Sequence, residues 1–214
     1  MANTSRQPLT RHRIVAAAIE LADVSGIDYL TMRKIAEHLG FEVMSLYNHV
    51  ANKDDLLKGM VDVVAGEMDE PPPDMPWRAA ARMMALSAHA VLLNHQWASP
   101  LWSTRWPGPN RWRHMEVLLR VLGEAGLSEE LTDVGFHAIT LHIQGFAQQQ
   151  LDYAASFLPD DELYARFAAE VTEADHPNVY AHMRYHRRTE PGPDEFAFVL
   201  DLILDGLGRT ATPS

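Results

Sequence analysis

Residues 31 to 53 read Thr31-Met-Arg-Lys-Ile-Ala-Glu-His-Leu-Gly-Phe-Glu-Val-Met-Ser-Leu-Tyr-Asn-His-Val-Ala-Asn-Lys53, and this stretch predicts two short helices joined by a tight turn. Thr31 is a good N-cap, because its hydroxyl can accept a free amide hydrogen of the first turn, and Thr10 can cap an earlier helix to about Ser25 in the same way. Apolar residues then recur at helical spacing, at Met32, Ile35, Ala36 and Leu39. Gly40 supplies the positive φ with which many helices end, and a second helix is predicted from Val43 to Val50. The order helix, glycine turn, helix indicates a helix-turn-helix.

The second of these helices carries short or planar polar side chains that suit phosphate oxygens and base edges. Lys53 begins the next helix, where a cation and free backbone amides can share one phosphate. Arg33 is long enough to reach a base or a phosphate from the first helix. A solvated helical turn without a ligand is the alternative. We predict a DNA-binding surface made of Arg33, Val43, Met44, Ser45, Tyr47, Asn48, His49 and Lys53.

Three stretches carry a wider resemblance: residues 14–26, Leu30-Thr-Met-Arg-Lys-Ile-Ala36, and Leu46-Tyr-Asn-His-Val-Ala-Asn-Lys-Asp-Asp-Leu-Leu57. Over residues 9–65 the chain resembles the DNA-binding domain of the tetracycline-repressor (TetR) family. Pro76-Trp77-Arg, Gly123-Glu-Ala-Gly-Leu-Ser128 and Leu202-Ile-Leu-Asp-Gly-Leu207 are similar to the C-terminal domain of the tetracycline-repressor branch. The resemblance implies an all-α fold: an N-terminal three-helix helix-turn-helix head and an all-helical ligand-binding and dimerisation domain.

The composition of the chain excludes several classes of protein. The chain has 214 residues and no cysteine, so neither a disulfide framework nor a thiolate metal site is expected. No apolar run approaches the roughly 20 residues that cross a bilayer, and the first residues lack a hydrophobic signal region. We therefore expect a cytoplasmic protein without a membrane partner.

The charge distribution is uneven. The formal net charge is −11, which taken alone argues against DNA as a partner. Residues 1–19 nevertheless hold Arg6, Arg11 and Arg13 and no acidic residue, and acidic residues gather from Asp54 onward. A locally positive tip on a negative body is typical of a specific DNA binder, although an acidic chain fits many enzymes equally well.

A run of three prolines, Pro71–Pro73, cannot continue a helix and predicts a domain boundary. We assign residues 1–70 to the DNA-binding domain with its linking fourth helix, and residues 74–214 to the second domain. In that domain Asp74, Asn110 and Ser128 are predicted helix caps.

Two predicted helices, over residues 128–157 and 193–207, are more apolar than a monomer's surface helices need to be. The first contains small residues that permit close helix approach, at Gly135, Ala138, Gly145, Ala147 and Ala154. The resemblance implies that the two helices pair with their copies in a homodimer, and two-fold symmetry suits a palindromic operator. Burial within one subunit is the alternative.

Four of the five tryptophans lie within residues 97–112 and could form plain core or a cavity with a few polar groups. We predict a ligand site formed by Met84, Trp102, Trp106, Met115, Leu119, Phe136, His137, Thr140 and Gln144. At positions matching the magnesium–tetracycline ligands of the family the chain has Leu101, Met84, Leu118 and Leu141. A small apolar or aromatic effector is therefore expected instead.

Other constellations predict little. His182 and His186 are one helical turn apart, a spacing that can hold zinc, but no third ligand is evident. We find no phosphate-binding glycine loop and no nucleophile motif, and we expect neither a cofactor nor an enzyme. The sequence predicts a ligand-responsive, sequence-specific DNA-binding transcriptional regulator, with repressor favoured over activator. The alternative is an all-helical small-molecule-binding protein or enzyme with a vestigial DNA-binding head.

Overall fold

The computed structural model describes residues 8–155, 160–186 and 194–211, without the side chains of residues 153–155, 160, 161 and 186. All regular structure in these ranges is helical. The α-helices are α1 (Arg11–Ser25), α2 (Met32–Leu39), α3 (Val43–Tyr47), α4 (Lys53–Ala65), α5 (Trp77–Asn94), α6 (Ser99–Trp102), α7 (Pro109–Gly123), α8 (Glu129–Ala155), α9 (Asp160–Glu170), α10 (Pro177–His186) and α11 (Glu195–Thr210). Short 3-10 turns cover Ile27–Tyr29 and Gln96–Ala98.

The first three helices form a tripod around a small apolar core. Ile14 of α1, Ile35 of α2 and Leu46 of α3 are fully buried. The predicted caps are present: Thr10 accepts the amide of Arg13 at 3.2 Å, and Thr31 accepts that of Lys34 at 3.2 Å. Gly40 ends α2 with φ 71°. Local hydrogen bonds therefore set the bounds of α1 and α2, and the buried residues fix how α3 packs on them.

The recognition helix is shorter than the sequence predicts, because α3 ends at Tyr47 rather than at Val50. The amides of His49 and Val50 still donate to the carbonyl of Leu46, at 2.9 Å and 3.0 Å, but the helix does not continue beyond them. Arg11 donates to the carbonyl of His49 at 3.4 Å, and the amide of Ala51 donates to Asp55 Oδ2 at 2.9 Å. These longer-range bonds turn the chain toward α4, so Asn48 and His49 lie in a turn.

Two predicted caps in the second part of the chain are wrong. α5 begins at Trp77, with Pro76 rather than Asp74 at the cap position and no side-chain cap bond. α7 begins at Pro109 after Gly108, because the groups of Asn110 are bonded to α4 instead. Ser128 does cap α8, since its Oγ accepts the amide of Leu131 at 3.3 Å.

Helices α5, α7, α8 and α11 build the second core, in which Met84, Leu118, Leu122, Ile139 and Leu200 are fully buried. On the surface of this core Arg78 of α5 pairs with Asp205 of α11 at 2.6 Å, and Arg82 pairs with Asp201 at 3.1 Å. The close packing of α8 and α11 holds one wall of the cavity described below. None of the helices described is long and apolar enough to cross a membrane.

Candidate nucleic-acid interface and ligand cavity

The predicted recognition residues form an exposed ridge at the tip of the molecule. Met44 is 73% exposed and Tyr47 is 42% exposed, and Asn48 and His49 are exposed beside them. Val43 and Ser45 are half-buried at the base of the ridge. Because Leu46, the residue before Tyr47, is fully buried, the ridge is held against the head core.

Cationic side chains lie beside the ridge. Arg33 is on the exposed face of α2, and its Nε donates to Glu37 Oε1 at 2.9 Å. Lys53 is exposed in the first turn of α4, where free backbone amides favour an anion. The ion pair of Arg33 is solvent-exposed and contributes little, so a phosphate or a base can replace Glu37 at small cost.

Sequence reasoning missed the internal use of two arginines. Arg11 makes two hydrogen bonds to the carboxylate of Asp55, at 2.7 Å and 2.9 Å, and so ties α1 to α4. The Arg11 hydrogen bond also lowers the pKa of Asp55. Arg13 donates to the carbonyl of Pro8 at 2.8 Å. These arginines brace the head rather than extend its positive surface, and Arg6 lies outside the described residues.

A cavity of about 180 Å³ lies between α5, α7 and α8. The structure brings five of the predicted ligand residues to its wall, and they are Trp102, Met115, Phe136, Thr140 and Gln144. Six further lining residues were not predicted, and they are Met68, Ala88, Leu92, Arg111, His114 and Ile143. Arg111 and His114 lie one turn apart on α7. They are two of several polar residues on α7, so no pattern in the sequence distinguished them from Arg113, Glu116 or Arg120.

Four predicted ligand residues do not line this cavity. Trp106 is 75% exposed and packs edge-on against Trp112, with ring centroids 6.0 Å apart. His137 is on the exposed side of α8, where its Nδ1 lies 2.9 Å from the carbonyl oxygen of Asp133. Met84 is in the packed core, and Leu119 is on a part of α7 outside the wall. Met84, Leu119 and His137 are on helices that contact the cavity, but each helix presents them on another face, and Trp106 lies between α6 and α7.

The four positions matched to the tetracycline ligands are also absent from the wall. Leu118 is buried in the core, and Leu141 is 67% exposed on α8. Met84 and Leu101 contribute to the apolar core. That correspondence therefore does not locate the cavity of this chain.

The first turn of α7 joins the cavity to α4. Oδ1 of Asp62 on α4 accepts the amides of Asn110 at 3.0 Å and Arg111 at 3.2 Å. Asn110 Nδ2 donates back to the carbonyl of Asp62 at 3.0 Å. We call Asp62, Gly108, Asn110 and Arg111 the α4–α7 junction. A Cβ on Gly108 would lie 2.5 Å from Asp62 Oδ1, so only glycine fits without displacing the carboxylate.

A second link between head and body runs through His95. Its Nδ1 lies 2.9 Å from Asp23 at the end of α1, and its Nε2 lies 2.9 Å from Glu67 after α4. Trp97 Nε1 also donates to Asp23, at 2.6 Å. Burial lowers the pKa of His95, but the hydrogen bonds and charges of Asp23 and Glu67 outweigh burial, and the pKa is raised.

The predicted histidine pair includes His186, whose side chain lies outside the described part. His182 is exposed on α10. The described residues contain no group of three histidine, aspartate or glutamate side chains that could hold a metal ion.

The fold and the ridge define the class: a helix-turn-helix DNA-binding regulator. A family model described as "Bacterial regulatory proteins, tetR family" matches residues 14–60, and "Tetracyclin repressor-like, C-terminal domain" matches residues 70–211. The chain belongs to the tetracycline-repressor family, a family of regulatory transcription factors.

Named relatives agree with this assignment. The HTH-type transcriptional repressor DrrR1 of Streptomyces coeruleorubidus is 32% identical over 222 residues, which cover 96% of this chain and 82% of that protein. The tetracycline repressor protein class D of Escherichia coli is 29% identical over 177 residues, covering 78% and 81%. An HTH-type transcriptional regulator of Saccharopolyspora erythraea is 42% identical over 120 residues, covering 55% of this chain and only 51% of that protein.

Solved structures share the fold. The Streptomyces coelicolor TetR family protein ActR in complex with actinorhodin superposes with a TM-score of 0.81 at 28% identity, covering 96% of this chain and all of that one (100%). BioQ with its double-stranded DNA operator gives a TM-score of 0.67 at 23% identity, covering 94% and 99%, and this likeness shows the fold alone. The chain is thus an all-helical DNA-binding transcriptional regulator of this family, which confirms the predicted family, all-α fold class and regulatory function.

Proposed function

We propose that the protein is a homodimeric repressor, which binds a palindromic operator and releases it when a small apolar or aromatic molecule enters the cavity. The α4–α7 junction carries the proposal. The turn of α7 that contributes Arg111 to the cavity also bonds Asp62 on α4, the helix that follows the DNA-binding ridge. A ligand that shifts this turn changes the orientation of the head.

At the DNA, each head places α3 and the following turn in a major groove. Met44, Tyr47, Asn48 and His49 face the base edges, with Val43 and Ser45 at the base of the ridge. Arg33 and Lys53 contact phosphates or a flanking base. Two heads related by a two-fold axis meet half-sites about one turn of DNA apart, or multiples of it.

Exposed apolar side chains on α8 and α11 support the homodimer. Val134 and Leu141 lie two turns apart on α8, and Phe198 and Leu202 lie one turn apart on α11, all exposed in one chain. A two-fold four-helix bundle would bury all four. Residues 156, 157 and 193 of the predicted dimer ranges lie outside the described part.

Regulation is a coupling free energy between the cavity and the operator site. Some ligands bind more tightly to the dimer whose heads are spread too far apart for the operator. Such a ligand lowers DNA affinity by the difference between its binding free energies for the two head orientations, typically about 1–3 kcal/mol. In this mechanism residues 1–70 form the DNA-binding domain and residues 74–214 form the ligand-binding and dimerisation domain. The proposal requires no cofactor and no catalytic step, and the protein acts in the cytoplasm with the DNA that it regulates.

Selection of bound sequences from a random DNA pool tests the proposal. The expected result is a palindrome bound by one dimer. Tyr47→Ala should weaken binding to it at least tenfold, because the side chain is on the ridge. Tyr185→Ala is the matched control, since Tyr185 is 46% exposed on α10, against 42% for Tyr47.

Enrichment of no sequence at low salt, together with turnover of a bound compound, would favour an enzyme with a vestigial head. A reporter under the selected operator, in cells with and without the protein, gives the sign of regulation. Higher output without the protein supports repression, and lower output indicates an activator.

A further inference from the structure

The polar lining of the cavity is cationic. Arg111 and His114 come from α7, and Thr140 and Gln144 come from α8. No described aspartate or glutamate lines the wall. Thr140 Oγ1 donates its proton within its own helix, to the carbonyl of Phe136 at 2.9 Å. Arg111, His114 and the Gln144 amide therefore remain as donors to a ligand.

Arg111 is a half-buried cation without an anionic partner among the described ion pairs. Its guanidinium lies 4.7 Å from the ring centroid of Trp102, and Nη1 donates to the carbonyl of Arg105 at 2.9 Å. Burial lowers its pKa, against the charge of Asp62, yet an arginine stays protonated. Oδ1 of Asp62 already accepts two backbone amides at the junction. The remaining N–H groups of Arg111 form a planar fork that matches a carboxylate.

His114 has a ring nitrogen without a hydrogen-bond partner in the described structure. Its Nδ1 is buried and has no hydrogen-bond partner within the described structure. Burial lowers the pKa of His114, against the charge of Glu70, so the neutral ring is favoured. A buried polar atom without a hydrogen-bond partner is unfavourable. A neutral ring can pair with a ligand oxygen by donating its one N–H.

We propose that the effector is an aromatic carboxylic acid, bound as its carboxylate between Arg111 and His114. Its rings lie against Trp102, Phe136 and Met115. The inference rests on the proposed function of the cavity and specifies the chemical class of its ligand. A dry apolar cavity of roughly 150 Å³ holds one benzene molecule. The volume here, about 180 Å³, therefore suits one or two rings.

The test compares 2-naphthoate with its neutral amide, 2-naphthamide, by titration calorimetry on the full-length protein. The two probes share the ring system and differ in charge. We expect the carboxylate to bind at least tenfold more tightly than the amide. Equal affinities, tighter binding of the amide, or no binding of 2-naphthoate at 1 mM (about 4 kcal/mol of binding free energy) would overturn the inference.

Two variants test whether the preference for the carboxylate over the amide arises in the cavity. Arg111→Met should remove the preference for the carboxylate and leave the affinity for 2-naphthamide within about threefold. Arg120→Met is the matched control, because Arg120 lies on the same helix and pairs with exposed Glu124 at 2.6 Å. A preference that survives Arg111→Met contradicts the inference. Should Arg111→Met fail to fold, Gln144→Leu, which removes a lining donor from α8, must reduce the preference instead.

Binding of the selected operator by the same unliganded preparations separates this inference from the proposed function. Intact operator binding without a carboxylate preference rejects the ligand class alone. A carboxylate preference without operator binding supports the ligand class and rejects the repressor.

Discussion

Single residues at the tip of the head divide into those that we propose read DNA and those that hold the ridge in place. The ridge residues are exposed because Leu46 and Val50 bury the opposite side of the segment. Arg11 is a cation of the head, as Arg33 and Lys53 are, yet its guanidinium bonds the carboxylate of Asp55. Their pairing is a local arrangement that no periodicity in the sequence reveals.

Substitution of the two flanking cations should separate base reading from phosphate binding. Arg33→Ala is expected to weaken operator binding and relax the base preference, since Arg33 can reach a base edge. Lys53→Ala is expected to weaken binding equally on all sequences and to reduce the salt slope by roughly one unit per lost phosphate contact. Binding isotherms at several salt concentrations measure both effects. Equal losses with unchanged salt slopes for both variants would refute these roles.

His95 should make the docking of head on body depend on pH. Because its pKa in the folded protein is raised above the ordinary value of 6.5, its ion pairs contribute fully below about pH 6.5. Their contribution is lost as pH rises through the raised pKa. His95→Gln should therefore destabilise the protein by about 1 kcal/mol at pH 6 and by less at pH 8.5.

Thermal unfolding of both proteins at the two pH values measures that difference. His176→Gln serves as the control, because His176 is exposed and its described hydrogen bonds are made by its backbone amide and carbonyl. A loss of stability for His95→Gln that is the same at both pH values would show that packing, rather than charge, explains it.

At the scale of elements, the α4–α7 junction joins a helix of the cavity wall to the helix that follows the ridge. Two glycines permit it. A Cβ on Gly66 would lie 2.9 Å from Asn110 Nδ2, and one on Gly108 would collide with Asp62. The helices therefore approach closely enough for backbone amides of α7 to bond a side chain of α4.

Asp62→Ala and Gly108→Ala should each uncouple the cavity from the operator. Either change breaks the bonds to the amides of Asn110 and Arg111, so the coupling energy should fall from the typical 1–3 kcal/mol toward zero. The measurement is operator affinity with and without a compound that dissociates the wild-type complex in a fluorescence-polarisation screen.

Gly123→Ala is the control for the junction variants, because a Cβ on this glycine of the same helix meets nothing within 4 Å. It should leave the coupling unchanged. Full coupling in Asp62→Ala would mean that another path, such as the His95 link, transmits the signal.

At the scale of the whole molecule, the exposed apolar faces of α8 and α11 predict how two chains meet. Small residues on α8 allow close approach to α11 within one chain as well, since a Cβ on Gly135 would lie 3.0 Å from Leu207 Cδ1. One face of each helix thus packs in the core of its own chain. We propose that the other face packs against the partner chain in the dimer.

Leu202→Glu should dissociate the dimer. Because the dimer is two-fold symmetric, the substitution removes one buried leucine from each chain. Each loss costs about 1.5–3 kcal/mol of dimerisation free energy, and the two together raise Kd roughly 10²- to 10⁴-fold. Light scattering during size-exclusion chromatography measures the mass, and operator binding should be lost in parallel. Val24→Glu is the control, because Val24 is an exposed apolar residue on the head, away from this face. A dimeric Leu202→Glu would place the interface elsewhere.

The sequence alone determined the helix-turn-helix, its caps at Thr10 and Thr31, the glycine turn at Gly40 and the family. These features depend on bonds between residues three or four apart and on apolar periodicity, which a sequence displays directly. The tertiary structure alone decided which side chains line the cavity, that Arg11 braces Asp55, and that Asp62 holds the start of α7. Such contacts join residues tens of positions apart, and the rotation and crossing of packed helices determine them.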